Sequence, residues 1–357
     1  MIKIQEHLNR LDSDSYLDIL ANELWEYLNP KLKNGKGYFK NSLIEKCKKF
    51  KNESSKKSYL IEYANNDVPT AKRQKAFFDY LLKSNAVKLK DLIISRPNQF
   101  SAVKLEIFNI LQVNDLFVGT PGNYSQTKFG SLISDTIFNY KTFRGSSFCV
   151  EQFVKIGLDS VTCPYCNEKR INIIKLRSNS SKAVKLKAYL DLDHFYPKVQ
   201  HPFFALSFFN LIPTCHDCNS RDKGDKLFTI ETHVHPYNES FDDLYKFRVS
   251  LVALLGDSVN EIFIDKLPHK PLDITLNDLK LVDRYQPYLE QVENLVKYYL
   301  NYNFYLGSTT ENVFIDAIFN INGGMPKERK DILKFERGKM KRDILKQIDI
   351  NNKLNIL

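Results

Sequence analysis

Four of the six cysteines stand in two C-x-x-C pairs, Cys163/Cys166 and Cys215/Cys218, while Cys47 and Cys149 stand alone. Each C-x-x-C turn places two thiolates on one side of an ion, so the duplicated spacing predicts a tetrahedral zinc site. In a reducing compartment a disulfide framework is not expected. Sulfur fills all four positions and leaves none for water, so the zinc is predicted to be structural and not the catalyst. Residues 167–214 separate the pairs, enough chain for a β-hairpin closed at its ends by the metal. Inside and just after that loop come Asp193-His194, Pro197, Asn210, Cys215-x-x-Cys218, Asn219 and Lys223-Gly224, in that order.

The run LDHFYPK followed by FFNLIPTCHDCNSRDKGD resembles the HNH nucleases in their zinc-containing form over about 163–226. The shared outline is a DH pair, a proline soon after, Asn-Leu, a C-x-x-C on either side, and a metal-binding residue before K-G. The resemblance implies a β-hairpin followed by a helix around a metal. Over about 160–240, CPYC, LDHFYPK, HPFFALSFFNLIPTCHDCN and an HPY segment are similar to HNH endonucleases of bacterial anti-phage systems, such as Septu-type nuclease subunits. That likeness implies cleavage of invading DNA under an ABC- or AAA-type ATPase partner. The chain has no G-x-x-x-x-G-K-S/T sequence of its own, so any nucleotide dependence would come from another subunit.

Phosphodiester hydrolysis needs a base to take a proton from water, a cation facing the phosphate and something to hold the base in place. His194 suits the base, because an unperturbed imidazole is available near pH 7. Asp193 supplies a hard oxygen for Mg²⁺ or Mn²⁺, and Asn219 adds a second oxygen ligand where many relatives have His. Asn210 is expected to bond backbone so that His194 keeps its aim. Lys223, four residues after Asn219, is expected on the same helical face, meeting phosphate oxygens. Neighbours on a flat strand point to opposite faces, so Asp193 and His194 must lie at a strand end or a bulge, with metal and water on different sides of the phosphorus.

Other candidates are assigned lesser roles. Arg221 and His235 are expected to contact substrate, His235 with Pro236-Tyr237 also closing the module, while His201 and Lys226 are weaker phosphate contacts. His216 is expected to be exposed or to support the cysteine site from outside. Cys47 and Cys149 read as buried apolar residues, and the Phe-rich run 203–209 as core. Rival readings are a non-catalytic zinc-stapled nucleic-acid binder, a structural subunit of an ATPase complex, and an RNase using the same site. A pure binder would more naturally carry Arg and Lys where Asp193, His194 and Asn219 stand.

The elements that must position these residues can also be read. The 357 residues carry 52 Lys+Arg against 42 Asp+Glu, a net +10, with 43% hydrophobic residues, 13 Gly and 13 Pro. That composition excludes disorder, collagen and low complexity, and mildly favours a polyanionic partner. Residues 1–145 read as helical, with amphipathic stripes in SYLDILANELWEYL, KGYFKNSLIEKCKKF and AKRQKAFFDYLLKSN. Ten lysines in 31–60 read chiefly as a solvated helical face. Residues 146–236 form the nuclease module, in which SNSSKA (178–183) is a loop, AYLDLDHFYP alternates like a strand and HPFFALSFFNLIP is core. Residues 237–357 return to helix, with a start at Thr275 and a break at Pro287. The predicted fold class is α+β: a small zinc-stapled ββα-metal, treble-clef-like module between mainly α-helical N- and C-terminal regions. No apolar run reaches the ~20 residues of a membrane span, and the N-terminus has no apolar signal region, so a soluble cytoplasmic protein is expected.

Overall fold

The computed structural model describes residues 2–33, 35–176, 185–250, 259–268 and 270–356. Helices and small antiparallel sheets mix along the chain, an α+β arrangement. The SNSSKA loop lies outside the described residues.

The amphipathic stripes of the N-terminal region become helices Ser13–Leu28, Leu43–Glu53 and Val68–Ile94. In the first, Leu17, Leu20, Ala21, Leu24 and Trp25 are buried at helical intervals, and the chain leaves the helix just before Pro30. Ser42 caps the second by accepting from the Glu45 N–H. The third is interrupted at Lys83–Ala86, where Ser84, Asn85 and Ala86 adopt positive φ. Of the lysines in 31–60, Lys48, Lys49 and Lys51 are solvent-facing, whereas Lys46 turns inward to the Ile137 carbonyl.

The N-terminal region is not purely helical. Strands β1 (Phe117–Thr120) and β2 (Asn123–Gln126) form a hairpin around Pro121-Gly122. Gly122 has φ +82°, the value the third position of a type II turn requires. The three-stranded sheet β3 (Ser160–Thr162), β4 (Arg170–Leu176) and β5 (Lys185–Tyr189) follows, then the pair β6 (Asp191–His194) and β7 (Leu211–Thr214). The alternating run AYLDLDHFYP therefore divides between two sheets, with the break at Leu190. The C-terminal region likewise holds a strand pair, β8 (Tyr245–Val249) with β9 (Ile262–Lys266), where helix was expected. Its burial alternates along β8, a period of two that sets it apart from the helical segments around it. Thr275–Asp278, Leu281–Tyr285 and Leu289–Tyr302 are helical, with a tighter turn over Gln286–Tyr288 at Pro287. No helix among the described residues is long and apolar enough to cross a membrane.

Buried apolar side chains from all three regions join one core running from Ile2 to Ile356. Phe203, Phe204, Phe208 and Phe209 lie within it, as do Cys47 and Cys149. Three histidines are also buried in this core. His235 packs against Phe195 at 4.2 Å between ring centroids, and its Nδ1 accepts from the Tyr237 N–H. It therefore cannot reach a phosphate; it closes the module instead. His201 lies among Tyr196, Phe203 and Phe204, and His233 stacks on Phe228 at 3.7 Å.

Burial pushes His201 and His235 down to about 3 and His233 to about 4. In the unfolded chain each would titrate near its ordinary value of about 6.5. The unfolded state thus binds more protons between these limits, and stability falls as the solution is acidified. Denaturant titrations are expected to show constant histidine-linked stability above about pH 6.5 and a progressive loss toward pH 4. A midpoint unchanged across that window would contradict the assignment.

Candidate metal centre and hydrolytic site

The Cys163 knuckle follows β3 and the Cys215 knuckle follows β7, so the two strand ends are brought together at one point. In the first, the Asn167 N–H donates to the Cys163 carbonyl at 2.7 Å and Asn167 takes φ +53°, which reverses the chain between Cys166 and β4. In the second, the Asn219 N–H donates to the Cys215 carbonyl at 3.1 Å. All four Sγ atoms are buried and lie within 4.8 Å of one another, with Cys166 and Cys215 3.9 Å apart. Sulfurs placed tetrahedrally about 2.3 Å from zinc are about 3.8 Å apart, so the cluster fits a zinc ion. Burial opposes ionisation of Cys166, but hydrogen bonds from Cys163, Cys215 and Cys218 and the charge of Arg284 hold its thiol well below the ordinary range. Four cysteine residues could thus hold a metal ion such as zinc.

The C-terminal region supplies the charge balance for this centre. Arg284 donates from Nη1 to Cys218 Sγ at 3.2 Å and to Asp222 at 2.7 Å, and from Nη2 to Glu168 at 2.6 Å. Tyr285 donates its hydroxyl to the Cys166 carbonyl, and the Asn167 side chain donates to the carbonyls of Ile332 and Phe335. The first knuckle is therefore gripped by the helix Leu281–Tyr285 and by the segment before Gly338–Ile348.

Strands β6 and β7 pair in unbroken register, Asp191 with Thr214, Asp193 with Ile212 and His194 with Leu211. After the second knuckle the chain forms a π-helical turn, Asp217–Lys223, that packs back over β6. The Gly224 N–H reaches the Asn219 carbonyl at 2.9 Å, a five-residue step that makes the turn wide. Alternation along β6 then separates its side chains: Asp191 and Asp193 face the turn, and His194, the last residue of the strand, faces the other way.

The turn side departs from expectation. Asp193 is buried, with Oδ1 accepting from Lys223 Nζ at 2.8 Å and Oδ2 from the Tyr165 hydroxyl at 2.7 Å. Lys223 is 2% exposed and also donates to the His194 carbonyl, so it does not face a phosphate in solution. Its ammonium neutralises the carboxylate instead, because an unpaired charge at either position would be costly in that apolar setting. Asn219 turns its amide to Asp191 Oδ2 at 3.1 Å and not to Asp193. The oxygens expected to hold Mg²⁺ or Mn²⁺ therefore do not converge: one carboxylate is taken by Lys223 and Tyr165, and the amide is spent on another residue. Arg221 stays at the surface, 74% exposed, and pairs with Asp217 at 3.0 Å. Lys226 pairs with Asp278.

On the opposite side, His194 Nε2 lies 3.1 Å from the Ala205 carbonyl. A carbonyl only accepts, so Nε2 carries the hydrogen and Nδ1 holds the lone pair. The Tyr140 ring meets the imidazole edge-to-face at 4.4 Å, and the Tyr140 hydroxyl is tied to the Leu192 carbonyl. Burial, with added repulsion from Lys198 and Lys223, brings His194 down to about 3, so it is neutral at pH 7. Asn210 is fully buried; its Oδ1 accepts from the Tyr196 N–H at 2.7 Å and its Nδ2 donates to the carbonyls of Tyr196 and Phe204. It thus ties the backbone beyond His194 to the backbone beside Ala205.

Several participants escape sequence reading. Asp191 could have been found, since it precedes Asp193 by two residues and must share its strand face. Tyr165 sits inside the first knuckle, but nothing in C-P-Y-C points it at Asp193. Tyr140 and Arg284 are remote in sequence and leave no local signal.

No family model matches the chain, and no solved structure matches it. A 49-residue stretch, 13% of the chain, is 41% identical to part of Protein ea31 of Escherichia phage lambda, and spans 17% of that protein's length.

Replacing Arg284 with Leu leaves Glu168 and Asp222 without their shared cation and Cys218 without its donor. Loss of such outer partners typically lowers metal affinity by about 10–100-fold. Chelator competition on the purified R284L protein is expected to show a drop of that size. Equal zinc retention would remove Arg284 from the support of the centre.

Proposed function

We propose that the chain is an HNH-type endonuclease that hydrolyses phosphodiester bonds of DNA, with a structural zinc at Cys163, Cys166, Cys215 and Cys218. The observation that carries this reading is the state of His194. Its Nε2–H is anchored on the Ala205 carbonyl, its ring is braced by Tyr140 and its Nδ1 lone pair is free to take a proton. In the proposed step Nδ1 accepts a proton from water as the water oxygen bonds to phosphorus. The bond from phosphorus to the leaving oxygen breaks opposite the attack, and that oxygen takes a proton from solvent. Lys198, whose charge opposes protonation of His194, adds positive potential where the phosphate would approach. Asn210 is a positioning residue that fixes the loop holding the base. The expected ligands for Mg²⁺ or Mn²⁺ do not converge at Asp193, whose two oxygens are taken by Lys223 and Tyr165.

Action on invading DNA beside an ABC- or AAA-type ATPase belongs to the same proposal and rests on the motif resemblance, as does a cytoplasmic location. The buried Asp193–Lys223 pair favours one alternative, a zinc-stapled nucleic-acid binder without hydrolysis, because it leaves Asp193 no free oxygen.

His194→Ala tests the proposal. Plasmid cleavage is expected to fall by about 10²–10⁴-fold, the usual worth of a positioned base, with zinc content and circular dichroism unchanged. In the parent, kcat/KM rises with the deprotonated base, so its acid limb should lie below pH 5 and not near 6.5. Cleavage by H194A as fast as the parent would end the assignment, and an acid limb near 6.5 would show His194 to be far more solvated.

A further inference from the structure

On the turn-facing side of β6 two carboxylates sit two residues apart and meet different fates. Asp193 is enclosed and neutralised by Lys223 and Tyr165. Asp191, at the open end, is met by no Lys or Arg among its described partners. Instead His216, just before the π-helical turn, and Asn219 and Ser220 within it converge on its Oδ2: His216 Nδ1 at 3.0 Å, Asn219 Nδ2 at 3.1 Å and Ser220 Oγ at 3.4 Å. His216 is 67% exposed and the Asp191 side chain 32%, so the cluster is open to solvent.

We propose that Asp191, His216 and Asn219 form a site for a first-row divalent cation such as Mn²⁺. The site is separate from the four cysteines and displaced by one strand repeat from Asp193. Each group has a donor atom to offer. Asp191 provides a carboxylate oxygen. A half-turn of the Asn219 amide exchanges its N–H for its oxygen at the same place. His216 offers the Nδ1 lone pair in the tautomer that carries its hydrogen on Nε2. One imidazole nitrogen with two oxygens suits a first-row ion better than Ca²⁺, which takes oxygens alone. The strand and the wide turn hold the donors from opposite sides, and the Cys215/Cys218 knuckle fixes the distance between them. Water completes the coordination.

The role of this ion in hydrolysis rests on the nuclease reading, but its binding does not. Mn²⁺ titration of the zinc-loaded full chain, followed by the loss of the free-ion electron paramagnetic resonance signal, reads the site directly. One saturable Mn²⁺ per chain is expected. Asp191→Ala should abolish it and His216→Ala should weaken it at least tenfold, both with zinc content unchanged. The double variant Asp193→Asn/Lys223→Met, which removes the buried pair without leaving a lone charge, should bind Mn²⁺ within threefold of the parent. Absence of saturable binding, or affinity unchanged in both Asp191→Ala and His216→Ala, would overturn the site. Mn²⁺ binding of the expected pattern in a chain that cuts no nucleic acid would keep the site and end the nuclease reading. Cleavage that survives Asp191→Ala unchanged would leave the nuclease reading standing without this ion.

Discussion

The convergence of four sulfurs on one point governs the rest of the structure. Cys163 and Cys166 end one strand, Cys215 and Cys218 end another, and the intervening chain has to fold as a loop pinned at its base. Among the described residues, that loop contains short strands and brief helical turns, which have little intrinsic stability. A metal held by the four thiolates would therefore couple its binding to folding, since the thiolates meet only in the closed form. The pinned base also sets where the turn Asp217–Lys223 lies over β6, and thereby which side chains meet.

From that constraint follows a two-sided strand. One face of β6 is ionic: Asp193 with Lys223, and Asp191 with the polar end of the turn. The other presents a single imidazole between a carbonyl and an aromatic ring. Alternation along the strand, and not a bulge, keeps the two chemistries apart. The surrounding regions do more than flank this unit. Tyr140 from the N-terminal side braces His194, and Arg284 from the C-terminal side balances the thiolates, so the centre and its surroundings are held as one packed body.

The cysteine cluster was legible because C-x-x-C spacing carries its geometry locally and its duplication pairs one knuckle with the other. The backbone bonding of Asn210 was legible from its place in the motif, and the Phe-rich run as core by its density. The environment of Asp193 was not, because it depends on the π-helical widening between Asn219 and Gly224, which brings Lys223 inward. The substrate contact expected of His235 was misplaced because only the fold sets its ring against Phe195, deep in the core. The β8–β9 pair was hidden for another reason: residues 250–261 separate its strands in sequence, and the other apolar patterns of the region are helical.

X-ray absorption at the zinc edge of the purified chain tests the central claim most directly. The account predicts one zinc per chain with a first shell of four sulfurs at about 2.3 Å. A shell containing nitrogen or oxygen, or a chain that keeps its fold after complete removal of metal, would contradict it.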